Sequence, residues 1–245
     1  MTVDVVAFGA HPDDVELGCG GTLAKLVAAG RTVGIVHLTR GEAGSRGSAE
    51  IRRREAEAAA AALGASELRI LDFGDGALRT GAAEEEELIS VFRDLRPELV
   101  FAPTPADRHP DHARSHRLVR EAAFYAGLRR RGSGRPHRPG ALFSYPQHDP
   151  IEPAFIVDVT ATWEAKMRAL DAYGSQLHRV SAAARAPEPD GDPPTKIASR
   201  EYRLAVEGRA RHYGQLIGAE LGEGFLTPTP LAIADPWQLL PTGLR

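Results

Sequence analysis

Short apolar runs that stop at glycine or proline alternate with helix-patterned stretches along this chain, and that alternation leaves room for few architectures. Val3-Asp4-Val5-Val6-Ala7-Phe8 reads as a buried strand closed by Gly9-Ala10-His11-Pro12, because proline restricts the residue before it. Leu23, Leu26 and Val27 share one helical face across Gly20 to Ala29, with Gly30 where a helix ends. Thr32 to Leu38 is the second strand. Ser48 caps a helix that runs to Leu63 and stops at Gly64, and Glu50 suits the positive end of its dipole. Leu68 to Leu71 (strand), Glu84 to Leu95 (helix), Leu99 to Ala102 (strand) and Asp111 to Leu128 (helix) continue the series. This pattern predicts an α/β fold, a Rossmann-like, mostly parallel sheet flanked by helices on both faces. Further on, Ala141 to Tyr145 and Phe155 to Val159 read as strands, and Thr162 to Tyr173 and Ile197 to Ile217 as helices. The arginine-bearing 129–140 and the proline-rich 186–194 read as loops, the second of them mobile.

No break in composition asks for a second unit, so one domain over residues 1–245 is expected. A formal charge of -3 gives no global field to hold nucleic acid or an anionic membrane. Cys19 is the single cysteine, which excludes an internal disulfide and a cysteine-rich metal site and points to a reducing compartment. Asp4 interrupts the first apolar run, no basic segment precedes it, and no apolar stretch is long enough to span a bilayer. A cytoplasmic location is the expectation.

Two clusters carry chemistry. His11-Pro12-Asp13-Asp14-Val15-Glu16 follows the first strand, and Asp107-Arg108-His109-Pro110-Asp111-His112 follows the fourth. In a doubly wound sheet those two strands are neighbours whose carboxyl ends open into the crevice where ligands bind, so the clusters should face each other. Catalytic zinc is commonly held by three imidazole or carboxylate ligands with a fourth position open, and His11, Asp14 and His112 form the candidate trio. Zinc lowers the pKa of bound water from near 16 to about 7. Asp13 can then orient and deprotonate the nucleophile, while His109 can stabilise an oxyanion or protonate a departing amine.

His11-Pro12-Asp13-Asp14 with Gly20-Gly21-Thr22, and His109-Pro110-Asp111-His112, resemble the PIG-L-like (LmbE-like) zinc N-deacetylases over most of the chain. Thr39-Arg40-Gly41-Glu42, Ile156-Val157-Asp158-Val159-Thr160 and Tyr173-Gly174-Ser175-Gln176 resemble the bacillithiol-biosynthesis branch, which removes acetate from N-acetylglucosaminyl malate. Val15 separates the aspartate pair from Glu16, where many relatives place glutamate directly after the pair. The resemblance implies the same ligands and catalytic residues, a small amino-sugar substrate and a homohexamer. It also implies that Arg52 and Arg108 hold an anionic substrate group, although Arg52, Arg53 and Arg54 stand in a row. Two alternatives remain: a deacetylase of other N-acetylglucosamine or sugar-thiol conjugates, and a nucleotide-binding regulatory α/β module. Against the latter, Gly18-Cys19-Gly20-Gly21 lacks the G-x-G-x-x-G spacing.

Other histidines are expected to serve packing or surface roles. His116 shares a helical face with His112 but the trio suffices without it, His37 lies in a strand, and His148, His178 and His212 lack nearby carboxylates in sequence. His148 sits on a loop within reach of the pocket. Cys19 should pack as a small apolar residue, and Asp72 and Asp75, beside Gly74 and Gly76, read as turn formers.

Overall fold

The computed structural model describes residues 2–178 and 195–239; the 186–194 segment lies outside the described residues. Five parallel strands, β1 (Val5–Gly9), β2 (Val33–His37), β3 (Glu67–Ile70), β4 (Leu99–Pro103) and β5 (Ala141–Tyr145), form a sheet of order β3-β2-β1-β4-β5. The helices α1 (Asp14–Ala28), α2 (Ala49–Leu63), α3 (Ala82–Leu95) and α4 (Pro110–Ala126) connect them. Alternating residues of β1 explain the two layers. Val5 and Ala7 enter one core with Val15, Ala56 and Leu63 of α1 and α2, whereas Val6 and Phe8 enter the other with Leu88, Phe92 and Val119 of α3 and α4. The chain leaves β1 toward β2 and returns to its other side as β4, so the strand order reverses between β1 and β4.

Ser48 accepts a hydrogen bond from Ile51 N and Gly64 closes α2 at φ 77, as the local pattern predicts. Two elements differ from that pattern. The first helix begins at Asp14 rather than Gly20 and is kinked at Cys19, where φ is -140. The cause is Glu223, whose carboxylate accepts from Gly21 N (3.0 Å), Thr22 N (2.7 Å) and Thr22 Oγ1 (2.6 Å), capping the second half of α1 from across the fold. Gly18 fits because a Cβ there would lie 1.9 Å from Tyr145 Cδ2. The glycines thus serve helix packing, and Cys19 is buried in the core.

The other difference is the segment after β5. Phe155–Asp158 (β6) is a strand, but it pairs antiparallel with β7 (Gly222–Phe225) in a separate two-stranded sheet. The Gly-Glu-Gly sequence of β7 has no strand pattern of its own. Between them lie α5 (Trp163–Ala172) and α6 (Arg200–Ile217), a short 3-10 turn at Lys196–Ala198 preceding the latter. Lys166 of α5 donates to Glu223 (2.6 Å) and to Leu17 O (2.9 Å), a buried ion pair that locks α5, β7 and α1 together. Lys166→Met leaves that carboxylate without its cation and should lower unfolding free energy by about 3–5 kcal/mol in urea titration. Adding Glu223→Gln should recover part of the loss. No helix among the described residues is long and apolar enough to cross a membrane.

Candidate active site

The reversal point brings both motifs to one crevice. Asp13 ends the β1 loop at φ 107, a left-handed backbone unusual for a non-glycine residue, and such strain tends to collect at functional sites. From there Asp14 reaches the imidazoles of both clusters. Its Oδ2 is 3.4 Å from His11 Nδ1 and its Oδ1 is 3.4 Å from His112 Nε2. The opposite nitrogens are already engaged. His11 Nε2 meets Asp75 Oδ1 at 3.0 Å and Asp111 Oδ2 at 3.4 Å, and His112 Nδ1 meets Asp107 Oδ1 at 3.0 Å. Asp111 is itself held by Gly76 N and Leu78 N, so these imidazoles are aimed by carboxylates that are in turn fixed.

Ring nitrogens of His11, His109 and His112 lie within 4.8 Å of one another. Donors bound tetrahedrally to one ion at about 2.0–2.1 Å stand roughly 3.3–3.4 Å apart. The spacing from Asp14 to each imidazole matches that value, and it is long for a charge-assisted hydrogen bond. Asp14 reaches the two imidazoles through different oxygens, and among the donors close enough together to share one ion are ring nitrogens of His11, His109 and His112; imidazoles backed by carboxylates suit a divalent cation. The electrostatics agree. Burial opposes charge on His11 and His112, yet Asp14, joined by Asp111 and Asp75 on His11, raises His11 well above its ordinary value. Asp14 and Asp107 raise His112 to about 9 in the same way. Asp14 is driven well below the usual carboxylate range: burial would raise it, and His112 and His11 outweigh burial. The crevice is built to hold positive charge, which a metal can supply by displacing protons.

Asp13 is buried beside this set, and burial pushes its carboxyl up to about 7 against the opposing Arg52 charge, with Asp14 adding to the rise. His109 Nδ1 accepts from Asp111 N at 3.2 Å, which leaves Nε2 as the protonated nitrogen of the neutral ring. Burial and the charges on His11 and His112 lower its pKa.

The arginine row is resolved by burial. Arg53 and Arg54 pair with Glu50 on the outer face of α2, whereas Arg52 points inward and is 4% exposed. Its guanidinium donates to Pro12 O, to Gly41 O (3.2 Å) and toward Asp13 Oδ2 (3.4 Å). Arg52 therefore holds the Asp13 loop. Arg108 is exposed, and among the described residues no hydrogen-bond or ion-pair partner engages it. His116 turns its Nδ1 to Pro103 O (2.9 Å) and stands outside the cluster, and His37 is buried without a ring partner, burial taking it down to about 3.

Sequence reasoning missed Asp75, because a carboxylate between glycines looks like a turn, and it gave no role to Asp107 or Asp111 although both lie in the second motif. It also missed Glu16, which is fully buried. Tyr173 OH donates to Glu16 Oε1 at 3.0 Å while Oε2 has no partner, and burial raises this carboxyl to about 8. The folded chain thus keeps Glu16 protonated where the unfolded chain ionises it above about pH 4.5, so its contribution to stability falls as pH rises from that value to about 8. Each pH unit of that interval is worth up to about 1.4 kcal/mol. Glu16→Gln should remove this slope: chelator-stripped variant and parent should differ little in urea at pH 4.5, and the variant should be the more stable at pH 8.

Comparison with known proteins places this site in a lineage. A family profile described as PIG-L, GlcNAc-PI de-N-acetylase, matches residues 6–123. Diacetylchitobiose deacetylase of Thermococcus kodakarensis is 34% identical over 189 residues, covering 71% of this chain and 70% of that protein. This chain belongs to the PIG-L de-N-acetylase family. A 1D-myo-inositol 2-acetamido-2-deoxy-alpha-D-glucopyranoside deacetylase of Saccharomonospora viridis is 31% identical over 222 residues, covering 69% of this chain and 83% of that one. Among solved structures, the conserved protein TT1542 of Thermus thermophilus superposes with a TM-score of 0.85 at 37% identity, covering 96% of this chain and 99% of its own. The PIG-L profile spans both motifs, from β1 into α4, so the family's sequence signature and the crevice coincide.

Proposed function

We propose that this chain, as one domain over residues 1–245, is a zinc-dependent hydrolase that removes the N-acetyl group from an N-acetylglucosaminyl conjugate. The carrying observation is Asp14 set between the free nitrogens of His11 and His112, with Asp13 beside it. His11, Asp14 and His112 would hold the ion. When bound, it supplies Lewis acidity to the acetamide carbonyl and to water. Asp13 takes the proton of the attacking water, as a base whose pKa lies near the working pH. His109, whose ring stands beside those of His11 and His112, can stabilise charge on the carbonyl oxygen through its Nε2–H and, in its protonated form, hand a proton to the nitrogen as the C–N bond breaks. Acetate and a free amine result. Arg52 keeps Asp13 in place.

Two substrate classes compete. N-acetylglucosaminyl malate of bacillithiol biosynthesis is favoured by the branch motifs and by Arg108, an unengaged guanidinium beside His109 that suits a carboxylate. Conjugates with a second hydroxylated ring are favoured by the substrates named for the two deacetylase relatives. A cytoplasmic location, which the lone Cys19 supports, and a homohexamer, which rests on the branch resemblance, are the accompanying readings. Primary-amine release from N-acetylglucosamine compounds, measured with and without chelator, tests the function. Release that survives full removal of metal would overturn the zinc mechanism, and absence of release from every such compound would overturn the activity.

A further inference from the structure

One edge of the main sheet is left open over a short stretch, and a proline is the reason. Strand β5 pairs with β4 on one side, and on its other side Ser144 exchanges both main-chain hydrogen bonds with Leu226 (2.9 and 2.8 Å). The N–H and C=O of alternate residues in a parallel strand face the same way, so those of Leu142 point outward with those of Ser144. The next antiparallel rung would set Leu142 against residue 228, a proline with no N–H to give. Among the described residues neither outward group of Leu142 finds a partner. Thr227 Oγ1 instead donates to Thr229 O (2.6 Å), and a groove of about 340 Å³ opens between β5 and the segment 227–232.

Helix α4 supplies the third wall with Arg120 and Phe124, one turn apart. Arg138 holds its guanidinium 4.5 Å over the Phe124 ring while donating to Phe124 O (2.9 Å). Phe124 is 54% exposed and Leu231, also in the lining, 43% exposed. Arg120 is exposed, and among the described residues no hydrogen bond or ion pair engages it. The groove contains no carboxylate. A small anion can use the positive charge alone. An extended peptide uses more, because its backbone returns an acceptor and a donor to Leu142 while its alternate side chains reach the apolar wall and the guanidinium. Charged rims guard sheet edges against indiscriminate pairing, and a rim of arginine repels basic strands and admits acidic ones.

We propose that this groove is a docking site for an extended acidic segment of a partner protein, which adds a short strand to β5 at Leu142 and pairs a carboxylate with Arg120. The surface is separate from the catalytic crevice, since Arg120 lies about 12 Å along α4 from His112. It therefore stands or falls independently of the deacetylase reading.

The probes are fluorescein-labelled, C-terminally amidated pentapeptides with glutamate at alternate positions and varied apolar residues between, titrated into the metal-loaded full chain by fluorescence polarisation. Lysine replaces glutamate in one comparator set, and the backbone is N-methylated at alternate residues in another. The best acidic peptide should bind at least about tenfold more tightly than either comparator, the scale of one lost charge-assisted hydrogen bond. Arg120→Glu should weaken it by about tenfold or more on the same grounds. Arg117→Glu, the same charge change one turn earlier and outside the groove, should stay within about threefold at physiological ionic strength. Both positions are exposed, so neither variant should move the unfolding midpoint or the rate of amine release. Equal losses from the two variants would reduce the effect to general attraction and overturn the site. Binding that survives N-methylation would overturn strand addition, and failure of every acidic peptide to bind would overturn the proposal outright. So would a parent oligomer, seen by sedimentation without peptide, that Arg120→Glu dissociates, because the groove would then belong to a second copy of the chain.

Discussion

Asp13→Asn protein should keep its metal and lose about two to four orders of magnitude in kcat, the range associated with removing a general base. Asparagine is the informative replacement because residue 13 sits at φ 107, a conformation asparagine tolerates and most other residues resist. The Arg52 guanidinium beneath it can hydrogen-bond the amide oxygen much as it does the carboxylate, so the loop should stay in place. What disappears is the site that accepts a proton. The pH profile gives a second readout. Burial holds the Asp13 carboxyl near 7, and a cation on Asp14 draws it lower, so the parent's kcat/KM should fall on the acid side as Asp13 takes up its proton. That limb should be absent from the residual activity of the variant. Unchanged kcat with full metal content would remove Asp13 from the chemistry.

His112→Ala should lose the metal itself. Its Nε2 is one of the two imidazole nitrogens aimed at Asp14, and the ring is 1% exposed, so no neighbouring solvent group can take its place at the ion without opening the crevice. Loss of a hydrogen-bond partner behind a metal-bound histidine typically costs 10–100-fold in affinity, and loss of the ligand should exceed that, to more than about 100-fold. Competition with a chromophoric chelator measures it directly, and activity should drop to background in step. The unfolding midpoint of metal-free variant and metal-free parent keeps a folding defect from being mistaken for a binding one. Affinity within a few-fold of the parent would remove His112 from the ligands.

Several parts of this site were readable in the residues. The two histidine-aspartate motifs stand out because so many ligating groups crowd into a few positions directly after apolar strands. Strand alternation alone then puts the first and fourth strands side by side. Ser48 and Gly64 mark the ends of α2 because capping acts through groups three or four residues apart. Other features carried no local trace. Nothing near Asp75 distinguishes a turn from a carboxylate that aims His11, since the two residues meet only when the loop after β3 folds over the crevice. Three consecutive arginines look alike until α2 docks and turns Arg52 inward.

The sequence alone determined the layered α/β architecture, the meeting of the two motifs and the residue types offered to a metal, because periodicity, capping and proline restriction are short-range and written in the order of residues. Tertiary structure decided where α1 bends, which carboxylates stand behind the imidazoles, which arginine is buried and where the β5 edge is left open. Those outcomes depend on contacts such as Glu223 with Gly21, 202 positions apart, whose partners acquire their energy only when both are withdrawn from water. No local pattern can encode a pairing that exists only after desolvation.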